Sequence, residues 1–258
     1  MKTLKVIKIG GNIIEDTEAL GQFLTSFAQL EGPKILIHGG GKLATRLAKK
    51  MNIPVKMIEG RRVTDAETLD IITMVYAGKI NKNIVAQLQA NNCNTVGFSG
   101  ADGNTIIAKK RPIKEFDYGF VGDIVKVQVK TIKLLLISNI TISFCAISHD
   151  LKGQLLNTNA DTIASELAIA LSQDFEVELY YCFEKNGVLR NVEDDTSVIE
   201  HINKSRYQQL KNQGVINEGM IPKLDNCFYA LEKEVSKICI GKPEMLFDLK
   251  NKFTTIQK

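Results

Sequence analysis

The sequence predicts an α/β protein: an open, mostly parallel central sheet with helices on both faces, and β-hairpins beside the sheet in the N-terminal half. Three observations carry this prediction. Short apolar runs suited to buried strands (Val6–Ile9, Ile35–Ile37, Glu176–Cys182, Ser236–Ile240) alternate with helical patterns of ten or more residues, the rhythm of βαβ units. Two strand ends, Ile9-Gly10-Gly11 and His38-Gly39-Gly40-Gly41, run straight into glycine; a backbone without Cβ lets N–H groups converge on an anion. At 258 residues, 44% hydrophobic and 24% charged, the chain can bury one large core and has the composition of an ordinary globular protein.

The elements follow in order. A first strand begins by Leu4 and carries Lys8 to the mouth of the first glycine loop. Asp16 or Thr17 caps a helix through about Leu30, with Leu20, Phe23, Leu24 and Phe27 on one face. A helix opens near Lys42 after the second strand, and Pro54 to Thr64 is an extended excursion around a glycine. Asp65 caps a long helical stretch to Asn91; a strand at Asn94–Gly97 ends in the loop Ser99-Gly100-Ala101-Asp102-Gly103. Residues Thr105 to Val129 alternate in the β manner, which predicts hairpins. One strand over Ile140–Ile147 closes the first half. A helix from about Ala160, the strand Glu176–Cys182, helices over Thr196–Asn212 and Pro222–Glu232, and the strand Ser236–Ile240 make up the second. With no repeat, low-complexity tract or linker, residues 1–258 are expected to form one domain whose halves share a continuous sheet.

Charge and cysteine usage exclude several function classes. The net charge of +4 is mild, and Lys109-Lys110-Arg111 beside Pro112 is a solvated hairpin rather than a nucleic-acid site. The five cysteines are odd in number, lack C-x-x-C spacing and sit in apolar runs, the pattern of small buried hydrophobes rather than disulfides or zinc ligands. No apolar run approaches the roughly 20 residues of a membrane helix, and a cytoplasmic location is expected.

The glycine segment Gly39-Gly40-Gly41-Lys42-Leu43-Ala44 formally fits a dinucleotide fingerprint, but the acid expected about 20 residues on falls at Glu59, outside any buried strand. No G-x-x-x-x-G-K-[ST] is present, which excludes a P-loop. Two further segments are informative. Asn157-Thr158-Asn159-Ala160-Asp161 leads into an apolar helix and holds more amides and carboxylates than one cap requires. Glu218-Gly219-Met220-Ile221-Pro222-Lys223 puts a lysine near a helix start, where the dipole disfavours a cation unless an anion is close. His38, before a glycine loop, is read as a structural hydrogen-bonding group.

Taken together, Lys8-Ile9-Gly10-Gly11, His38-Gly39-Gly40-Gly41, Gly60-Arg61-Arg62-Val63-Thr64, Val96 to Gly103, Asn157 to Asp161 and Gly219 to Lys223 resemble, over essentially the full chain, the amino acid kinase family, and the N-acetylglutamate kinases within it most closely. The resemblance implies phosphoryl transfer from ATP, with Mg²⁺, to the side-chain carboxylate of an N-acylglutamate, for arginine synthesis. It implies Lys8 and Lys223 as cations on the transferring group and Asp161 as their organiser. Gly40, Gly41, Arg62 and Asn157 would bind the acylglutamate, with Arg62 on its α-carboxylate, and Gly11 and Asn159 would border the phosphate path. Gly10 and Gly11 would face the phosphates. The nucleotide would lie against Glu184, Lys185, Asn186, Gly187 and Leu189 and the stretch around Asn217. On this likeness residues 1–150 form the acylglutamate lobe and the dimer, and residues 151–258 the ATP lobe. No metal ligand among the side chains is implied.

The residue types suit that chemistry. A side-chain carboxylate with a pKa of about 4.3 is already an ionised nucleophile at neutral pH, so no general base is needed. The barrier is the meeting of an anion with a triphosphate, which cations and backbone amides relieve. The chain departs from the family at Glu184, where an Asp is usual, at Lys185-Asn186, where small or apolar residues are common, and at Arg61, commonly apolar. Arg61 is expected to face solvent; the alternative is a second cation for an N-succinyl group. Arginine-inhibited relatives carry a helix ahead of the first strand; with that strand starting by Leu4, an arginine-insensitive homodimer is expected. Alternatives are a kinase of N-acetylaminoadipate or a non-catalytic amino-acid sensor, the latter disfavoured by the retention of Lys8, Asp161 and Lys223.

Overall fold

A computed structural model describes residues 1–58, 60–216, 220–248 and 250–258, with residue 222 by its backbone. The first half contains β1 (Thr3–Ile9), α1 (Gly11–Glu15), α2 (Thr17–Ala28), β2 (Lys34–His38), α3 (Gly41–Lys50), β3 (Met57–Ile58), β4 (Arg61–Arg62), α4 (Ala66–Thr73), a π-helical turn (Met74–Ile80), α5 (Asn81–Ala90) and β5 (Thr95–Phe98). Then come β6 (Ile106–Lys110), β7 (Gly122–Val127), α6 (Val129–Ile137), β8 (Thr141–Cys145), β9 (Ile147–His149) and β10 (Leu155–Asn157). The rest is α7 (Ala160–Leu171), β11 (Glu176–Cys182), β12 (His201–Ile202), α8 (Lys204–Asn212), α9 (Ile221–Glu232), β13 (Lys237–Gly241), a 3₁₀ turn (Pro243–Leu246) and β14 (Thr254–Ile256).

Eight strands form one sheet in the order β12-β14-β13-β11-β1-β2-β8-β5, parallel at each described pairing except β13–β14. All five residues of β2 are buried, as befits a strand covered on both faces. β1 lies at the centre. Its neighbour on one side, β2, follows it directly; its neighbour on the other, β11, comes from the second half of the chain. This reversal of strand order opens a crevice beyond the C-terminal ends of β1, β2 and β11. α7 packs on β1, β2 and β11 and against α9, while α5 packs on β5 and β8.

Local chemistry explains most boundaries. Asp16 caps α2 by accepting from the N–H groups of Glu18 and Ala19, and Asp65 caps α4 through Thr68. The long helical stretch predicted after Asp65 is present, interrupted by the π-helical turn. The C-terminal end of α2 is closed from a distance: Lys34 Nζ donates to the carbonyls of Ala28 and Leu30 at 2.9 and 2.6 Å.

The segment from Thr105 to Val129, expected to form hairpins, gives one, β6–β7, which joins β9 and β10 in a second sheet, β10-β9-β6-β7. Lys109-Lys110-Arg111 lies where β6 ends, with Arg111 paired to Asp123 at 2.6 Å. Two boundaries need correction. The apolar run expected as one strand, Ile140–Ile147, is two: β8 belongs to the large sheet and β9 to the small one, and the chain crosses between them at Ala146. Continuous apolarity marks burial and does not reveal a change of sheet. The helix expected over Thr196–Asn212 starts only at Lys204, capped by Asn203; the preceding residues fold into turns on Asp194 and Ser197 and into β12. α6 was not legible as a helix beside the β-alternating segment that precedes it. All five cysteines are buried.

Candidate active site

The crevice gathers Lys8, Asp161 and Lys223 from three elements. Lys8 lies near the end of β1, in register with Tyr181 of β11 and Ile37 of β2. Asp161 occupies the first turn of α7, whose N-terminus Asn159 caps by accepting from the N–H groups of Asp161 and Thr162 at 2.8 and 3.1 Å. Lys223 stands in the first turn of α9. Asp161 Oδ1 meets Lys8 Nζ at 2.8 Å and its Oδ2 meets Lys223 Nζ at 3.7 Å. The carboxylate is the counter-charge that a lysine at a helix N-terminus requires. Burial alone would raise the Asp161 pKa, but the two lysines outweigh it and hold the carboxyl below its ordinary value. Asp161 is thus ionised through the physiological range.

The two glycine loops flank this pair and differ in detail. Gly10 precedes α1, and its N–H already donates to the Cys182 carbonyl at 3.0 Å. A Cβ on Gly11 would meet nothing within 4 Å, so that side of the residue is open. A Cβ on Gly40 would lie 2.3 Å from Ile80 and 2.9 Å from Tyr76, so glycine there is required by the π-helical turn packed on it. Beside Gly41, Arg62 Nη2 donates to the Gly41 carbonyl at 2.9 Å and to Thr45 Oγ1 at 2.7 Å. Asn157 is tied to the same region: its Nδ2 donates to Thr64 Oγ1 at 3.0 Å, and Thr64 donates to the Arg62 carbonyl at 3.2 Å.

His38 is fully buried. Asn81 Nδ2 donates to His38 Nε2 at 3.0 Å and to the Ser143 carbonyl at 2.9 Å, so Nδ1 carries the proton given to the Gly39 carbonyl. Burial lowers its pKa to about 4, with the Gly39 bond opposing. The ring is neutral and structural, as expected.

The segment expected to meet the nucleotide divides. Lys185 pairs with Asp195 at 2.8 Å and Asn186 donates to the Asp195 carbonyl at 3.0 Å. Gly187 and the buried Leu189 pack inward: a Cβ on Gly187 would lie 2.6 Å from Thr254 Oγ1. Glu184 lines a cleft of about 400 Å³ that starts at Gly10 and runs past Phe183 to Lys242 and Phe247. Asn217 lies outside the described residues. Among the described residues no three His, Cys, Asp or Glu side chains cluster as metal ligands, and no helix is long and apolar enough to cross a membrane.

Four residues at the site had no role in the sequence reading: Thr64, named only within the Gly60–Thr64 motif, which links Asn157 to Arg62, Tyr76 against Gly40, and Tyr181 and Phe183 beside Lys223. Tyr181 and Phe183 sit in an apolar run where aromatics signal only burial. Their one available signal was the parallel register of two strand ends.

Fold and site define the class. Residues 3–242 match the amino acid kinase family, and the chain belongs to it. In particular, the chain is 54% identical over 257 residues to acetylglutamate kinase of Cytophaga hutchinsonii, covering 99% of this chain and 97% of the relative. It is 52% identical over 237 residues to acetylglutamate kinase of Bacteroides fragilis, covering 92% and 91%. A solved structure from Streptococcus mutans UA159, that of smu.665, superposes with a TM-score of 0.78 at 25% identity over 98% of each chain.

Proposed function

We propose that this protein transfers the γ-phosphoryl group of ATP to the side-chain carboxylate of N-acetyl-L-glutamate, giving an acyl phosphate for arginine biosynthesis. The observation that carries the reading is Asp161 held between Lys8 and Lys223 at the strand-order reversal, in a chain about half identical to enzymes named acetylglutamate kinase.

The acceptor carboxylate needs no base. Lys8 and Lys223 offer ammonium hydrogens to the oxygens on which charge spreads in transfer. Asp161 fixes their positions and stays out of proton transfer, being ionised already. The open side of Gly11 admits phosphate close to the backbone. Arg62 offers a planar fork to the α-carboxylate, steadied by Thr45 and the Gly41 carbonyl, with Gly40, Gly41, Asn157 and Asn159 bordering the acceptor. With Asp161 committed to two lysines, Mg²⁺ fits as an ion carried on the ATP phosphates and water, where it supplies further charge neutralisation.

Acetyl is favoured over succinyl as the acyl group. Adjacent strand residues face opposite sides, so with Arg62 turned to Gly41, the exposed Arg61 points away from the acceptor. The reading extends to two lobes, residues 1–150 for the acceptor and 151–258 for ATP, with Glu184, Lys185 and Asn217 toward the nucleotide, and to a cytoplasmic homodimer formed through the first half. ATP-dependent acyl-phosphate formation, trapped with hydroxylamine, tests it against N-acetylglutamate, N-succinylglutamate, N-acetylaminoadipate and free glutamate. Turnover of N-acetylglutamate above the others is expected; silence on all four with ATP bound would leave a sensor domain.

A further inference from the structure

Asp161 does not hold its two lysines equally. Lys8 is within hydrogen-bonding distance of Oδ1 at 2.8 Å, whereas Lys223 stands 3.7 Å from Oδ2, beyond the usual reach of an N–H···O bond. Among the described residues, two rings also stand near the Lys223 ammonium. Its Nζ lies 5.2 Å from the centroid of Phe183 and 5.7 Å from that of Tyr181, both within the range in which a ring face attracts a cation. The side chain of Lys223 is only 19% exposed, so this attraction acts with little water between.

Tyr181 is anchored in turn. It is buried at the end of β11, beside Lys8 in the sheet. Its hydroxyl donates to the backbone carbonyl of Asp161 at 3.3 Å, and Ser165 Oγ lies 2.6 Å away. With the tyrosine proton on the carbonyl, Ser165 is the donor in the shorter bond. Burial pushes the Tyr181 hydroxyl well above its ordinary range, so it keeps that proton. One side chain therefore touches the backbone of the organising aspartate and the charge of the lysine it organises.

We propose that Tyr181 and Phe183 are positioning residues for phosphoryl transfer: an aromatic sleeve that holds the Lys223 ammonium in place while leaving its hydrogens free for the phosphoryl oxygens. The physical reason is donor accounting. An ammonium has three N–H donors and no acceptor. A second carboxylate or a carbonyl would fix it by taking donors and cancelling charge. A ring face fixes it through its quadrupole and takes no lone-pair bond. Lys223 thus keeps its full charge and its donors, both of which act on charge that develops in the transition state. The sleeve contributes more to the transition state than to substrate binding, so its loss is expected in kcat.

This inference rests on the kinase reading above, and the experiment separates the two. Steady-state kinetics with ATP and N-acetylglutamate are measured for wild type, Phe183→Leu, Phe183→Tyr and Tyr181→Phe. Lys223→Ala and the double variant Phe183→Leu/Lys223→Ala are measured alongside, with a thermal midpoint for each. Phe183→Leu is expected to lower kcat about 2- to 30-fold, the span of a cation–π contact from exposed to desolvated, with KM for N-acetylglutamate within about twofold. Phe183→Tyr, which keeps a ring, recovers kcat. Tyr181→Phe, which keeps its ring and loses the Asp161 tether, falls between. In the Lys223→Ala background the Phe183→Leu loss disappears, because the ring has no ammonium to hold. An equal loss in both backgrounds, or wild-type kcat in folded Phe183→Leu, overturns the sleeve. An inactive wild type overturns the kinase reading instead, whereas wild-type kcat in Lys223→Ala ends that lysine's assignment and overturns the sleeve with it.

Discussion

Gly10 and Gly11 are neighbours with different duties. The Gly10 N–H is bound to Cys182, while the side of Gly11 that a Cβ would occupy is open. Gly11→Ala is expected to keep or slightly raise the thermal midpoint, since alanine is favoured over glycine in a helix by about 1 kcal/mol. It is also expected to lower kcat/KM for ATP about tenfold or more by barring close approach of phosphate to the backbone; unchanged kinetics would remove Gly11 from the phosphate path. Lys8→Ala or Lys223→Ala should each lower kcat roughly 10²- to 10³-fold, the scale of one lost preorganised donor, and wild-type kcat in either would end that residue's assignment. His38 predicts a pH effect on stability. Folded His38 has a pKa of about 4 against 6.5 in the open chain, so below pH 6.5 unfolding takes up a proton. Stability therefore rises with pH across this window, and is lost on acidification by about 3 kcal/mol in total, at about 1.4 kcal/mol per pH unit. Urea midpoints at pH 7 and pH 5 should show a steeper fall in wild type than in His38→Gln; parallel slopes would contradict the buried neutral ring.

At the scale of elements, the segment after β11 is shaped by β14 as much as by any ligand. Val188 N–H donates to Thr254 Oγ1 at 2.8 Å, and a Cβ on Gly187 would lie 2.6 Å from that oxygen and 3.0 Å from the Thr254 nitrogen. Gly187→Ala must displace the Thr254 and Val198 side chains and is expected to cost about 1–3 kcal/mol. On the proposed assignment of the two sides, it should also raise KM for ATP while leaving KM for N-acetylglutamate unchanged. A shift in the acceptor KM alone would reverse the assignment of the two sides. The π-helical turn has a comparable role on the side proposed for the acceptor: it brings Tyr76 and Ile80 onto Gly40, beside Gly41 and Arg62. Such turns are frequent at functional sites.

For the molecule as a whole, β1 pairs with β11 over seven positions and with β2 over five. The two halves of the chain therefore share one sheet through its central strand. Urea unfolding is expected to be one transition with coincident fluorescence and circular dichroism. Saturating ATP with Mg²⁺ should move that transition as a unit, by about 2.7 kcal/mol at a hundredfold excess over Kd. Two resolved transitions, only one of them moved by ATP, would show lobes that fold independently.

The sequence by itself determined the α/β class, six of the eight strands of the central sheet, both glycine loops, the cap Asp65 and a cap at Asp16 or Thr17, and the charged residues of the candidate site. Periodicity, turn chemistry and capping act over a few residues, so they can be read from a few residues. Motif likeness added which charges belong together. Tertiary structure alone decided that the run from Ile140 divides between two sheets, that the Gly10 N–H is already bound, that Thr64 links Asn157 to Arg62, and that Tyr181 and Phe183 enclose Lys223. Each depends on strand order and register, which bring segments from distant parts of the chain to one edge of a sheet. Pairing at that range leaves no local pattern: an aromatic residue in a buried strand looks the same whether it packs on a leucine or holds an ammonium.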